Sequence, residues 1–286
     1  MNDIRLVDET LDINLTLTYN LSIQLMLDGF SFCIFDSVRD KFIALYHKQL
    51  NVNNMSIEDY CKELNSFIEN EDVLFQRKYK KVKVLYYTEK FTFVPTPLFD
   101  KNNLNKYISL NFDTNNTERL MINELHNAEA VNIFSVSEKK IQLLEAYFAN
   151  VKIYHQSLPV VETSLVTYKN KTKVFKVIVD VHDNSFDLLV IKGRKLILFN
   201  TFSYSTDDDF SYFILLVYEQ LKLNPEETEI IFMGNIHKKD EKFIKIKKYI
   251  RHIKHEKLDE GFLYSYTFFD IPAYKFSNLL SLQKCE

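Results

Sequence analysis

The sequence predicts an α/β protein with two similar lobes, because one pattern of strands occurs twice. Residues 21–47 read LSIQLMLDGFSFCIFDSVRDKFIALYH, and residues 174–202 read VFKVIVDVHDNSFDLLVIKGRKLILFNTF. A shift of 156 positions superimposes the first two strands of both segments without gaps and places Gln24 on Asp180. Each segment alternates strand, tight turn, strand, turn and strand, and helical periodicity follows both copies. This order predicts a mixed sheet with helices on its faces in each half of the chain.

The composition limits the class of protein. The chain has 286 residues, of which 46% are hydrophobic, so it can form one large or two ordinary domains. Its net charge of −3 argues against a protein devoted to coating nucleic acid. No apolar run approaches the ~20 residues that cross a bilayer, the N-terminus is unlike a signal peptide, and the cysteines are isolated from one another. We therefore expect a cytoplasmic protein without membrane insertion, disulfide framework or metal site.

The first half of the chain continues with alternating helices and strands. Residues 1–20 form a lead-in with one edge strand in this interpretation, and 51–54 form a loop. Ser56 is a suitable N-cap, because Glu58 and Asp59 follow it in the first turn, where the helix dipole favours acids. After the meander at 21–48, we predict helices at 57–68, 101–111, 137–148 and 160–168, and strands at 82–87, 91–94, 131–136 and 151–154.

The second half repeats the plan after a polar segment at 169–173, which we interpret as the lobe boundary. The first lobe is then 1–168 and the second 169–286. Acidic residues at 207–209 predict the start of a long helix that ends near 221. The other predicted elements are the meander at 174–202, a strand at 229–233, a helix at 240–251, a short strand near 253–258, and a final helix at about 272–282 that packs back on the first lobe.

Two copies of the order βββαβαβα resemble the actin-like ATPase superfamily, which includes sugar kinases, Hsp70 and actin homologues of pilus assembly. The chain also resembles an uncharacterised Bacteroidetes family with that fold and no assigned activity. The resemblance implies two ribonuclease H-like lobes in an actin-like ATPase arrangement, each a mixed five-stranded sheet flanked by helices. In the superfamily each lobe supplies a phosphate-cradling turn with the pattern D-x-G-x-x-[ST], and a Gly-Gly turn of the second lobe lies beside adenosine.

The second lobe keeps part of these motifs. In Asp-Val-His-Asp-Asn-Ser, Asp180 stands at the acidic position and Ser185 at the hydroxyl position, but His182 stands where glycine is expected. The strand end Phe-Met-Gly-Asn resembles the adenosine turn, in which Gly234 is kept and Asn235 replaces its partner. The resemblance therefore implies Asp180, Ser185, Gly234 and Asn235 as the candidate residues of a nucleotide cleft.

The first lobe departs further from the pattern, since Gln24 stands at the acidic position and Met26 at the glycine. Backbone that wraps a phosphate needs glycine, and the chain has 4 glycines where roughly 20 would be average. Phosphoryl transfer depends on positioned phosphates and a metal that neutralises charge. Our leading interpretation is therefore a non-catalytic binding or scaffold protein with a degenerate phosphate site, no cofactor and a protein partner.

The individual acids also have structural explanations. Asp180 lies within an apolar strand at 177–181, where it either faces a ligand between the lobes, or lies at an edge or pairs with a lysine. We favour the second explanation for Asp180. Asp183, Asn184 and Ser185 are typical turn residues, because short polar side chains support tight turns.

Two other functions stay open. The first is a nucleotide-binding protein or ATPase that uses Asp180 to order Mg²⁺-bound water around ATP. The second is a nucleic-acid-associated protein, because 238–257 contains nine lysines and arginines against three acids, and 76–83 is also basic. We favour a solvated outer face as the explanation of the charges at 238–257. The contact residues of the second alternative would be Lys238, Lys242, Lys245, Lys248 and Arg251.

Overall fold

The computed structural model describes residues 3–50, 55–70, 73–113, 115, 117–170 and 174–285. The strands are β1 (Ile4–Val7), β2 (Tyr19–Leu25), β3 (Gly29–Asp36), β4 (Lys41–Gln49), β5 (Lys81–Tyr86), β6 (Phe91–Pro95), β7 (Glu118–Leu125), β8 (Ala130–Ser137), β9 (Val151–His155), β10 (Phe175–Val181), β11 (Ser185–Lys192), β12 (Lys195–Ser203), β13 (Glu229–Gly234), β14 (Ile253–His255) and β15 (Leu263–Tyr264). The helices are α1 (Ile57–Asn70), α2 (Leu104–Ser109), α3 (Glu138–Tyr147), α4 (Ser157–Thr167), α5 (Asp207–Gln220), α6 (Glu241–Lys247) and α7 (Ser277–Ser281).

Three sheets organise these strands. The first has the order β1-β4-β3-β2-β5-β9, with β15 also paired to β4, and the second has the order β12-β11-β10-β13-β14. The predicted five-stranded mixed sheet therefore corresponds to the whole of the second sheet. In the first sheet it corresponds to the five neighbouring strands from β4 to β9. Strands β1 and β15 extend the first sheet beyond β4 to seven strands, because both pair with that strand.

The two meanders share their register. Residues of β2 and β3 pair in the same way as residues of β10 and β11 that lie 156 positions later. A register shift separates Ile34 from Phe35 in the first meander and Val190 from Ile191 in the second, at equivalent positions. The duplication that the sequence predicts is therefore present in the hydrogen-bond ladders and includes the irregularity that twists the strands.

Local signals placed most helix starts correctly. The hydroxyl of Ser56 accepts a bond from the N–H of Asp59 at 3.1 Å, and Thr206 forms a capping box with Asp209 at the start of α5. Ser137 stands at the N-cap of α3, but its side chain makes no capping bond, since this residue is still the last of β8. The predicted helix at 240–251 is too long, because α6 ends at Lys247 and the chain then turns towards β14.

The third sheet, of order β6-β8-β7, is absent from the sequence-based prediction. Strands were predicted at the positions of β6 and β8 but not at that of β7. The usual signal of a strand, an alternation of buried and exposed residues, is missing there, because β7 is half-buried along most of its length. The predicted loop at 51–54 lies outside the described residues.

One continuous apolar core joins the two lobes. In β10, Val177 and Val179 pack against the helices of their own lobe, whereas Ile178 belongs to the same core as the first sheet. Met233 of the neighbouring β13 also lies in this shared core. Because successive strand residues point to opposite faces, Asp180 faces the first lobe as Ile178 does.

The C-terminal segment lies across both lobes. Leu279 and Leu280 of α7 form a cluster with Cys33 and Phe42 of the first sheet, and α7 also contacts β13. The boundary at 168/169 stays a prediction, because 171–173 lie outside the described residues. Within the described chain, no helix has both the length and the apolar character that crossing a membrane requires.

Candidate functional site

The turns of the two meanders lie close together at the interface between the lobes. The backbone N–H of Met26 donates to the carbonyl of Gly29 at 3.0 Å, and that of His182 donates to the carbonyl of Ser185 at 2.9 Å. Both turns are therefore closed by the same type of backbone hydrogen bond at equivalent positions. Asp180, Ser185, Gly234 and Asn235 all lie at this interface, so the structure brings the four candidate residues together.

Asp180 is buried at the centre of the second sheet. It is 4% exposed, and its Oδ2 accepts a bond from Nδ2 of Asn278 in α7 at 3.1 Å. The same amide donates to the backbone carbonyl of Gln156 at 3.0 Å. Burial raises the pKa of Asp180 to about 6. The expectation of an edge position or a lysine partner was wrong, since β10 is a central strand and the partner is an amide from the C-terminal segment.

Gly234 is required by the backbone at the end of β13. Its φ is +80°, and a Cβ atom would lie 2.3 Å from the carbonyl oxygen of Val181 and 2.5 Å from Oδ1 of Asp180. The next residue, Asn235, donates its amide to Oδ1 of Asp183 at 2.6 Å. The Gly-Asn turn is therefore held against the neighbouring meander turn by side-chain and backbone contacts.

Ser185 points towards the first lobe. Its hydroxyl lies 2.9 Å from the hydroxyl of Tyr87, and both groups are buried. Burial raises the pKa of Tyr87 far above its ordinary value, so this phenol stays neutral. The hydroxyl that would bind phosphate in the resembled motif is therefore engaged in a contact between the lobes.

His182 is half-buried, and the carboxyl groups around it favour its protonated ring. Its Nε2 lies 3.7 Å from Oδ2 of Asp187, which is directly opposite Asp180 in the β10–β11 ladder. Burial lowers the pKa of His182, but the carboxylates of Asp180 and Asp187 outweigh burial and raise it to about 9. The ring also packs edge-on against Tyr87, with the ring centres 4.7 Å apart.

Several residues at this interface were not predicted from the sequence. Asp183, which we had assigned to turn formation alone, also accepts a bond from Nε2 of Gln49 at 2.9 Å and so ties the lobes together. Burial and the neighbouring Asp183 raise the pKa of Asp28. Lys275 approaches from the C-terminal segment, and burial lowers its pKa to about 8. The one sequence signal for these contacts was the prediction that the last helix returns to the first lobe.

The space left between the two turns is small. The cavity has a volume of about 40 Å³, and residues of the C-terminal segment, including Phe276, Asn278 and Leu279, form one of its walls. Pockets for drug-sized ligands usually measure about 300–1,000 Å³, whereas one water occupies about 30 Å³ of liquid. The cavity therefore has room for water and is far smaller than a nucleotide pocket. A separate groove of about 500 Å³ is lined by residues of both turns, including Met26, Asp28, His182, Asp183 and Ser185.

The predicted basic segment is mostly engaged within the protein. Nζ of Lys242 donates to the hydroxyl of Tyr204 at 2.9 Å, and Lys245 pairs with Asp208 at 2.9 Å. Arg251 pairs with Glu226 at 3.2 Å. Lys238 and Lys248 are exposed. Across the part of the chain that the structure describes, no three His, Cys, Asp or Glu residues are grouped so that they could hold a metal ion.

Comparisons with known proteins identify the fold. Residues 8–253 match a family described as "Protein of unknown function (DUF3822)", while no curated protein matches significantly. The chain is similar to a protein with actin-like ATPase fold and unknown function from Bacteroides thetaiotaomicron VPI-5482, with 23% identity and a TM-score of 0.82 over 97% of this chain and 100% of that one. It is also similar to a chain of the PilM-PilN type IV pilus biogenesis complex, with 10% identity and a TM-score of 0.61 over 93% and 98%. The predicted actin-like ATPase fold is confirmed.

Proposed function

Because the chain belongs to the DUF3822 family of proteins of unknown function, we propose a role for it from the geometry of its interlobe site. The proposed role is that of a cytoplasmic, non-catalytic binding protein that keeps the actin-like ATPase fold without its nucleotide chemistry. The three cysteines are free thiols, which is typical of a reducing compartment and supports the cytoplasmic location.

The observation that carries this proposal is how little space remains beside Asp180 and Gly234. The cavity of about 40 Å³ is bounded by the protein's own C-terminal segment. Asn278 of that segment binds the carboxylate of Asp180, the one acid retained from the phosphate motifs. A nucleotide that reaches Asp180 would have to displace α7 and leave the apolar contacts of Leu279 and Leu280 unmade. That displacement would cost several kcal/mol, since burying each leucine side chain contributes about 1.5–3 kcal/mol.

The charge distribution supports the same proposal. A magnesium ion at Asp180 would approach the cationic ring of His182, whose pKa is raised to about 9 by Asp180 and Asp187. The ring already supplies positive charge to these carboxylates, so a metal would gain less from them and would be repelled by the imidazolium. The residues present therefore do not fit a nucleotide with its metal, and we derive no phosphoryl-transfer step from them.

Isothermal titration with Mg·ATP tests the proposal. We expect no binding up to millimolar nucleotide for the wild-type protein and for the Asp180→Ala variant. Micromolar binding that disappears in Asp180→Ala but persists in Asp208→Ala, an exposed acid of the second lobe, would overturn it. That outcome would support the alternative of a nucleotide-binding protein, which the adjacent positions of Asp180 and Gly234 favour.

The proposed binding role includes a protein partner. PilM, which has this fold, is described in a complex with PilN, and our proposal extends protein binding to the present chain. A candidate contact surface lies around α2, where Leu98 is 69% and Leu110 is 80% exposed. Affinity capture with wild type and Leu110→Asp should recover a partner with the wild type alone. Equal recovery of every partner by both proteins would exclude this surface.

Support for nucleic-acid binding through 238–257 is weaker, because Lys242, Lys245 and Arg251 already bind groups of this protein. Retention on a nucleic-acid column that falls as salt is raised would favour this alternative. Loss of that retention in Lys238→Gln/Lys248→Gln would assign it to this segment.

A further inference from the structure

A second basic region forms a groove at the beginning of β5 and β9. The groove has a volume of about 280 Å³, and no aspartate or glutamate is among the described residues that line it. We call it the lysine groove. Its cationic lining residues are Arg77, Lys78, Lys80, Lys81, Lys83 and Lys152.

The sheet register explains why these charges converge. Strands β5 and β9 are parallel, and Lys83 lies beside Lys152 in their ladder. Lys81 lies two residues before Lys83, so all three side chains are on the same face of the sheet. Lys83 is buried, and its ammonium group binds the backbone carbonyls of Leu282 and Gln283 at 3.3 and 3.4 Å. Lys81 and Lys152 remain exposed on the groove.

Four of the six groove cations have no ion-pair partner among the residues that the structure describes. Lys80 donates to the hydroxyl of Ser37 at 2.9 Å, which does not neutralise it. Among the described residues, no carboxylate forms an ion pair with Arg77, Lys78, Lys81 or Lys152. The lack of ion pairs distinguishes the groove from the basic segment at 238–257, where three of the five candidate residues bind partners within the protein.

Such an arrangement attracts anions. Like charges within the ~8–10 Å Debye length of physiological salt repel one another, and concave surfaces lined by one sign of charge attract counter-ions. The chain as a whole carries a net charge of −3, so the groove is a local exception to its surface charge. Lysine ammonium groups are compact point charges that suit phosphate oxygens.

The shape of the groove limits the size of the anion. Its volume of about 280 Å³ is close to the lower bound of about 300 Å³ for small-molecule pockets. Tyr147 and Phe148 form part of its wall and restrict its extent. A compact anion with several charges fits this space better than an extended polymer does.

We propose that the lysine groove binds a small anion with two or more phosphate groups. The site is separate from the interlobe cleft, because it lies at the start of β5, whereas the cleft lies beyond the end of that strand. The six residues of β5 place its two ends about 17 Å apart. The proposal is therefore independent of the role proposed for the cleft.

Isothermal titration with inorganic tripolyphosphate at about 50 mM salt tests this site. We expect saturable binding by the wild-type protein and a loss of about tenfold or more in affinity in Lys81→Gln/Lys152→Gln, because two charges that contact the anion are removed. The matched control is Lys238→Gln/Lys248→Gln, which removes two exposed lysines from the other basic segment and should bind as the wild type does. Asp180→Ala should also leave this binding unchanged. Thermal unfolding of each variant checks that it is folded.

Three results would overturn the proposal. The first is no binding by the wild type, and the second is an equal loss of affinity in the control variant. The third is binding of a single-stranded oligonucleotide about tenfold tighter than tripolyphosphate with the same dependence on Lys81 and Lys152, which would assign the groove to nucleic acid. Orthophosphate should bind at least about tenfold more weakly than tripolyphosphate, since it presents fewer charges to the groove.

Discussion

The turns of the two meanders have the same backbone and different side-chain roles. In the first lobe, Met26 is a half-buried, uncharged residue of the turn. At the equivalent position of the second lobe, His182 is also half-buried, but its ring lies beside carboxyl groups that raise its pKa. The strands and their bulge are equivalent in both lobes, whereas the turn chemistry has diverged. The comparison teaches that the same strand pairing accommodates different side chains at the turn.

The glycines of the two lobes reinforce this difference. A Cβ on Gly29 would lie 2.3 Å from the carbonyl oxygen of Lys48, yet the equivalent residue of the second lobe is Ser185, whose hydroxyl contacts Tyr87. Gly234 has a positive φ in the second lobe. Each lobe therefore retains glycine where its own backbone contacts require it.

Gly234→Ala should have the largest effect on stability. The left-handed backbone costs a non-glycine residue about 1–3 kcal/mol, and the overlap with Val181 and Asp180 adds about 1–3 kcal/mol. We expect urea denaturation to show a loss of about 4 kcal/mol. The control is Gly261→Ala, whose new Cβ would meet only the side chain of Asp259. Equal stability of the two variants would contradict the assigned backbone requirement.

His182→Met gives the second turn the residue that the first turn has at this position. It should cost about 3 kcal/mol at pH 7, because it removes the cation beside Asp180 and Asp187 and leaves these carboxylates uncompensated. Met26→Ala, at the equivalent half-buried position, should cost less. Denaturant unfolding measures both, and a smaller loss for His182→Met than for Met26→Ala would contradict the difference between the turns.

The same difference predicts how stability depends on alkaline pH. The folded-state pKa of His182 is raised to about 9 from an ordinary 6.5, so its protonation stabilises the fold below pH 6.5 and this contribution is lost as pH rises through 9. The groups that face His182 are the carboxyl groups of Asp28, Asp180 and Asp187 and the phenol of Tyr87. Tyr87 stays neutral between pH 6.5 and 9, because burial raises its pKa far above its ordinary value. By contrast, burial lowers the pKa of His155 in the first lobe to about 4, so its effect lies at acid pH.

Unfolding measured between pH 6.5 and 8 should therefore show a loss of about 2 kcal/mol in the wild-type protein. His182→Met should remove most of this slope, since it has no titrating group at the second turn. An unchanged slope in that variant would show that His182 is not the group responsible.

The smallest expected effect concerns the contact between the C-terminal segment and the second turn. Asn278→Ala removes the bonds to Asp180 and to the carbonyl of Gln156, and it should cost about 1.5 kcal/mol. It should also raise the pKa of Asp180 further, because the amide stabilises the ionised carboxylate. NMR titration of Asp180 and denaturant unfolding measure these changes. The exposed residue Asn102 supplies the control, and an equal effect of Asn102→Ala would contradict the assigned contact.

The sequence predicted the features that depend on local patterns. The strand pattern within each of the two copies, the cap at Ser56 and the start of α5 depend on residues that are close along the chain. The third sheet was missed because β7 has no clear alternation, and its pairing with β8 depends on tertiary packing. The partner of Asp180 was missed because Asn278 is 98 residues away along the chain.

The sequence by itself determined the duplicated strands, their register and the presence of Met26 and His182 at equivalent positions of the two turns, since these are properties of residue type and spacing. The tertiary structure decided which groups occupy the space between the turns. It placed Asn278 on Asp180, directed Ser185 to Tyr87 and left a cavity of about 40 Å³. The physical reason is that alternation and capping act between near neighbours, whereas the volume and charge of a cleft depend on distant segments that meet only in the folded chain.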